Sequence, residues 1–139
     1  MNDDELARRL HSGTLRLLRR LRTADGSAPV SPARLSLLSI LVFAGPRTVG
    51  ELARLEQVSQ PTISNLVAAL EAEGLVRRVA DPDDGRRREI RATPAGRRLL
   101  HAAREERERL LLGLLAPLGE RDRKTLARAT EILEAMIGG

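Results

Sequence analysis

The sequence predicts a mainly α-helical fold with one small β-hairpin near its middle. Leucines recur at the three- and four-residue spacing of amphipathic helices through most of the chain. Serine or threonine precedes several of these segments, as at the beginning of helices. Residues 75–93 instead alternate between apolar and polar and contain the turn sequence Asp81–Gly85. At 139 residues, the chain has the length of one domain, or of one lobe plus an oligomerisation arm.

Two helices are predicted before residue 46. Residues 6–21 place leucines on one helix face and arginines on the other, and residues 23–29 have the composition of a loop. Ser31 and Pro32 begin the second helix, because serine caps backbone N–H groups and proline fits the first helical position. A Gly-Pro pair ends this helix.

Two short capped helices are predicted next. Thr48 and Glu51 have the spacing of a capping box, which indicates that a helix begins there. After a turn at residues 56–58, Ser59 caps a helix over residues 60–73, and the following glycine ends it. Two capped helices joined by a turn of a few residues form a helix-turn-helix candidate.

A hairpin and two further helices complete the prediction. Residues 75–80 and 86–93 form strands on either side of the turn, and helices follow over residues 94–116 and 120–137. A helix-turn-helix followed by a hairpin is a winged helix-turn-helix. The predicted organisation is therefore a dimerisation helix and loop over residues 1–30, a winged lobe over 31–94, and C-terminal dimerisation helices over 95–139.

Composition narrows the classes of partner. The net charge of +5 and the pI of 11.2 are typical of a protein that binds a polyanion, although a well-solvated surface can have the same composition. One Phe and no Tyr or Trp disfavour the stacking modules that read single strands. No cysteine is present and His11 and His101 lie far apart, so we expect neither a metal site nor a cofactor. No signal peptide or membrane span is apparent, which predicts a cytoplasmic protein.

The helix over residues 60–73 has one polar and one apolar face. Its exposed N-terminal part is small and polar, as expected where a helix meets base edges in the major groove. Gln60 and Asn65 are suited to bidentate pairing with adenine, whereas Thr62 and Ser64 suit phosphate or a thymine methyl. An ordinary surface helix is the alternative interpretation.

The arginines on either side of the hairpin turn favour the DNA interpretation over simple solvation; they are Arg77, Arg78, Arg86, Arg87 and Arg88. An arginine at a narrow minor groove meets concentrated negative potential. Asp84 is placed to hold and orient the Arg86 side chain by a charge-assisted contact. The predicted DNA-binding residues are Ser59, Gln60, Pro61, Thr62, Ser64, Asn65, Arg77, Asp84, Arg86, Arg87 and Arg88.

The chain resembles the MarR family of regulators. The resemblance rests on residues 59–70, on Glu73-Gly74-Leu75-Val76, on the wing sequence Asp81–Arg87 and on Thr93-Pro94-Ala95-Gly96. It implies six helices with a two- or three-stranded wing, a minor-groove role for Arg86, dimers built from the terminal helices, and in many members release from DNA by small anionic or phenolic ligands. The implied pocket has His11, Arg16 and Phe43 as neighbours, although a chain almost without aromatics is poorly suited to stacking a phenol.

Two departures from this family pattern bear on mechanism. Residues 55–76 contain no Lys or Arg, so guanine reading by an arginine of this helix is excluded. The absence of cysteine excludes thiol-based sensing of oxidants.

Dimerisation is predicted independently by residues 110–115, which are apolar on every face of a helix apart from one glycine. A second copy related by two-fold symmetry covers such a surface, and a self-contained monomeric bundle is the alternative. The predicted interface comprises Leu6, Leu10, Leu111, Leu114, Leu115, Leu126, Leu133, Met136 and Ile137.

The sequence thus predicts a sequence-specific double-stranded DNA-binding transcriptional regulator, acting as a ligand-responsive repressor on a pseudo-palindromic operator as a homodimer. An enzyme is disfavoured, because no Ser/His/acid grouping or Gly-rich phosphate loop is recognisable. Two alternatives remain: a winged helix that binds proteins, and a non-specific DNA-binding protein without ligand response.

Overall fold

The computed structural model describes residues 1–25 and 30–138. Within these residues the chain forms six helices and one two-stranded antiparallel sheet, which confirms the predicted mainly α fold with a β wing. In chain order the elements are α1 (Asp3–Asp25), α2 (Pro32–Phe43), α3 (Val49–Glu56), α4 (Gln60–Ala72), β1 (Val76–Ala80), β2 (Arg88–Ala92), α5 (Pro94–Leu115) and α6 (Glu120–Ile137).

Several boundaries differ from the prediction. The first helix continues to Asp25 and so includes the first three residues of the expected loop over 23–29, whereas residues 26–29 lie outside the described residues. The strands are shorter than predicted, since β2 begins only at Arg88. Arg86 and Arg87 therefore belong to the wing turn and not to a strand.

Side-chain caps begin four of the helices, as the sequence indicates. The hydroxyls of Ser31, Thr48, Ser59 and Thr93 each accept a hydrogen bond from the backbone N–H three residues later. This satisfies a donor that has no partner inside the helix. Pro32, Pro61 and Pro94 occupy the first turns of their helices, where the missing N–H costs no hydrogen bond.

The core lies in the winged lobe and the first half of α5. Leucines of α2 pack with the inner face of α4, and Ile90 of β2 and Leu100 of α5 close the cluster. The predicted inward face of α4 is confirmed, because Ile63, Val67 and Leu70 are fully buried.

Hydrogen bonds and close packing hold the start of α5 against the residues that lead into β1. The Thr93 hydroxyl donates to the carbonyl of Gly74 at 2.6 Å, and the Thr93 N–H donates to the carbonyl of Leu75 at 3.0 Å. Gly96 packs directly against the same Leu75 carbonyl, where a Cβ atom would lie 2.1 Å from the oxygen. The Thr-Pro-x-Gly sequence thus fixes the long helix to the base of the wing.

The terminal helices leave much apolar surface uncovered. No residue of α6 is buried, and α1 has exposed leucines along its length. Of the predicted interface residues, Leu111 and Leu115 are half-buried, and the others are exposed. The largest exposed fractions among them are 67% for Met136 and 78% for Ile137.

Candidate nucleic-acid interface

The turn between α3 and α4 sets the direction of α4. Gln57 adopts a left-handed conformation with φ of 57°, and the N–H of Val58 donates to the carbonyl of Ala53 at 3.1 Å. Ser59 then begins α4, and its hydroxyl lies 2.8 Å from that of Thr62. Ser59 and Thr62 thus build the start of the helix, in addition to any contact with DNA.

The predicted reading face of α4 is open. Gln60, Pro61, Thr62 and Asn65 are exposed, and Ser64 is half-buried. The two amide side chains are five residues, or about 1.4 turns, apart at the two edges of this exposed face, so both can present a donor and an acceptor to the same groove.

The wing arginines divide into two groups. Within residues 30–138, Arg77, Arg86 and Arg88 are exposed and form no ion pair, so their guanidinium groups are available to a polyanion. Arg78 instead lies 3.5 Å from Glu71 of α4. Sequence reasoning could not separate the groups, because the partners are supplied by other elements.

Asp84 does not hold the Arg86 side chain, contrary to the prediction. Its carboxylate accepts a hydrogen bond from the backbone N–H of Arg86 at 3.0 Å. Asp81 does the same for the N–H of Asp83 at 2.8 Å. Short aspartate side chains commonly bond to backbone two residues later in turns. The aspartates therefore shape the wing turn.

Arg87 is surrounded by carboxylates. Its guanidinium forms an ion pair with Glu51 of α3 and lies 3.3 Å from Glu89 and 3.4 Å from Asp81. The hydrogen bond to Glu89 and the charge of Glu51 raise the pKa of Arg87 despite some desolvation. Desolvation alone would raise the pKa of Glu51, but the Thr48 hydrogen bond and the Arg87 charge lower it below its ordinary value.

A cavity of about 670 Å³ lies between α1, α2 and α5. Of the three residues that the resemblance implied for a ligand pocket, Phe43 lines this cavity, and His11 and Arg16 are not among the lining residues. Its cationic groups are Arg22, Arg104 and Arg107, which the sequence analysis missed. The Arg104 guanidinium lies 5.4 Å from the centre of the Phe43 ring. No motif marks these arginines, since similar residues cover the rest of α1 and α5.

Several known proteins resemble the chain over its whole length. A family model described as MarR family matches residues 28–87. The HTH-type transcriptional regulator MT0903.1 of Mycobacterium tuberculosis is 35% identical, covering 98% of this chain and 95% of that protein. The chain belongs to the MarR family. Among solved structures, a MarR family protein from Bacillus stearothermophilus has a TM-score of 0.86 at 27% identity, covering 100% of this chain and 99% of that one. The transcriptional regulator Tm0710 from Thermotoga maritima has a TM-score of 0.82 at 25% identity, covering 98% and 96%.

Membership of the MarR family makes this chain a DNA-binding transcriptional regulator of the helix-turn-helix type. Its winged lobe carries the exposed α4 face and the exposed wing arginines described above. None of the helices in the described part of the chain is long and apolar enough to cross a membrane.

Proposed function

We propose that this MarR-family regulator is a homodimeric, ligand-responsive repressor that acts in the cytoplasm on a pseudo-palindromic operator. The observation that carries the proposal is the pairing of two exposed surfaces on one lobe. The amide-bearing start of α4 suits base edges of the major groove, and the ion-pair-free arginines Arg86 and Arg88 suit the phosphates and minor groove beside it.

Sequence preference in this proposal comes from α4 and affinity from the wing. Gln60 and Asn65 are the amides of the exposed face, and Thr62, Ser64 and Pro61 border them. Arg77, Arg86 and Arg88 supply phosphate and minor-groove contacts, which carry little sequence information but a strong salt dependence.

A homodimer accounts for the apolar surface of the terminal helices. The side chains of Met136 and Ile137 are mostly exposed in the single chain, and 64% of Leu112 is exposed as well. Two-fold packing of these helices would cover them and would present two α4 helices about 10 base pairs apart.

The dimer is tested by solution mass. We expect wild-type protein at twice the chain mass, and the Met136→Glu/Ile137→Glu variant at the mass of one chain or insoluble, because charge opposes burial in an apolar interface. The matched control is Glu134→Gln, which alters an exposed residue of the same helix without adding charge. Wild-type protein at the mass of one chain would refute the homodimer.

The effector proposal rests on the cavity. Apolar walls from Leu18, Leu35 and Leu100, together with Arg22 and Arg104, suit a small organic anion with an apolar body. Titration of the protein–operator complex with small apolar carboxylates tests this. We expect the carboxylates to release the protein from DNA, and we expect less release in Arg104→Gln. If none of the carboxylates changed operator binding, the ligand response would be refuted.

Selection of duplexes from a random pool, followed by binding at two salt concentrations, tests the function as a whole. Enrichment of a two-fold symmetric sequence with steep salt dependence is expected, because each phosphate contact releases a counterion. Enrichment of no sequence would favour the non-specific DNA-binding alternative. Absence of duplex binding would favour the protein-interaction alternative.

A further inference from the structure

Arg87 closes the wing turn through its backbone. Its carbonyl accepts the N–H of Asp81 at 2.8 Å, and its own N–H donates to the carbonyl of Asp84 at 3.0 Å. The Arg87 side chain therefore starts from a fixed point at the base of the turn that carries Arg86.

The side chain then joins this turn to the first helix of the helix-turn-helix. Its guanidinium pairs with Glu51 of α3, and Glu89 and Asp81 flank its Nε atom at 3.3 and 3.4 Å. Glu51 is itself held, since the Thr48 hydroxyl donates to its carboxylate at 3.2 Å. A planar guanidinium has donors in several directions, so one arginine can bind carboxylates from several elements.

The Arg87–Glu51 pair supplements a backbone connection at the same edge of the wing. Arg47, just before the α3 cap, exchanges backbone hydrogen bonds with Ile90 of β2, at 2.8 and 3.3 Å. Because α3 packs against α4, these two connections fix the position of the wing relative to α4. We propose that Arg87 is a positioning residue that, through Glu51, holds the wing at the distance from α4 that lets both bind one operator half-site.

The charges around Arg87 favour this role over a phosphate contact. The three carboxylates and the guanidiniums of Arg87 and Arg47 leave a local formal charge of −1, and loss of Arg87 would leave −2. The Arg87 charge is thus already compensated by protein carboxylates. Arg88, one residue later, forms no ion pair in the described residues, so its charge is available to a phosphate.

The proposal rests on sequence-specific duplex binding, and its test uses the full chain and the selected operator. The variants are Glu51→Gln, Arg87→Lys, their combination, and Arg109→Lys as the matched control. Arg109 also pairs with a glutamate, Glu106, but it lies on α5 outside the winged lobe. In Glu51→Gln the amide oxygen can still accept from the Thr48 hydroxyl, so the helix cap is kept while the charge is removed. Lysine keeps the charge of Arg87 but not its fork of donors.

Binding of the operator and hydroxyl-radical footprints are measured for each variant. We expect Glu51→Gln and Arg87→Lys each to weaken operator binding by roughly three- to tenfold, and the combination to be no weaker than the stronger single variant, because both break one connection. Protection beneath the wing should decrease while protection beneath α4 persists. Arg109→Lys, which keeps its charge and lies outside the winged lobe, should bind within about twofold of wild type.

The decisive result is the direction in which Glu51→Gln changes the affinity for the operator. Removing a negative charge near DNA tightens binding if Arg87 acts only through phosphate electrostatics, so equal or tighter binding by Glu51→Gln would overturn the positioning role. Additive losses in the combination, or equal loss of protection beneath wing and α4, would also overturn it. A wild-type protein that selects no sequence would instead refute the proposed function, and the positioning role with it.

Discussion

Gly96, in the first turn of α5, is a position where one added methyl group should have a large effect. A Cβ atom there would lie 2.1 Å from the Leu75 carbonyl oxygen, 3.1 Å from its carbon and 3.2 Å from Cδ2 of Leu38. The Leu75 oxygen cannot simply move away, because it also accepts the Thr93 N–H at 3.0 Å. Gly96→Ala must therefore separate α5 from the beginning of the wing.

The expected cost follows from the atoms involved. Overpacking of a core costs about 1–3 kcal/mol, and contact with backbone places Gly96→Ala at the upper end. The better helix propensity of alanine returns up to about 1 kcal/mol. We expect a net loss of about 2 kcal/mol in the free energy of unfolding, which lowers the melting temperature by roughly 4–10 °C in a chain of this size.

Far-ultraviolet circular dichroism in a urea titration measures this loss, since the chain has no Trp or Tyr for fluorescence. Gly113→Ala is the control in the same helix, because nothing beyond the local backbone of the helix lies within 4 Å of its added Cβ. Its urea midpoint should equal that of wild type, or its free energy of unfolding should be higher by up to about 1 kcal/mol. A Gly96→Ala variant as stable as wild type would refute the close-packing argument.

Three further outcomes follow from the interface. Gln60→Ala and Asn65→Ala should each lose about 1–3 kcal/mol at particular base pairs in duplex selection, and retention of the wild-type sequence by both would refute the reading face. Arg86→Ala should lower the slope of binding against salt by about 0.9, whereas Asp84→Asn, which keeps the acceptor for the Arg86 N–H, should bind as well as wild type or better and Asp84→Ala worse. Weaker binding by Asp84→Asn would restore a role for its charge. Because the folded pKa of Glu51 is lowered, its charge stabilises the protein above about pH 4.3, and this contribution is lost as pH falls through the folded value. Wild type and Glu51→Gln should therefore converge in urea stability once the pH is below that folded value, and a constant difference down to the lowest pH would contradict this.

The local signals of the sequence were sufficient for the fold. The caps at Thr48, Ser59 and Thr93 bind backbone N–H groups three residues away, so the sequence spacing alone predicts each interaction. The wing turn is likewise encoded by adjacent aspartates and a glycine. The apolar face of α4 follows from helical periodicity, and its burial confirms that inference.

The roles of individual arginines could not be predicted in this way. Arg86, Arg87 and Arg88 are neighbours in one run, but the Glu51 partner of Arg87 lies 36 residues away on α3. The Asp84 prediction was wrong for a related reason, because the nearer backbone N–H satisfies its carboxylate. The cavity arginines Arg104 and Arg22 come together only when α1 packs against α5.

The absence of Lys and Arg from residues 55–76 makes the wing geometry more important. Neutral amides at Gln60 and Asn65 can distinguish bases but contribute little of the counterion release that drives binding. In the proposed interface that release comes from arginines elsewhere, chiefly Arg86 and Arg88 of the wing. Specificity then requires that the salt-dependent contacts form only where the amides also find their bases. A wing that moved independently of α4 would bind any duplex. A wing connected to α3, as proposed for Arg87, would instead lose part of its groove contacts when α4 meets a sequence that its amides do not match.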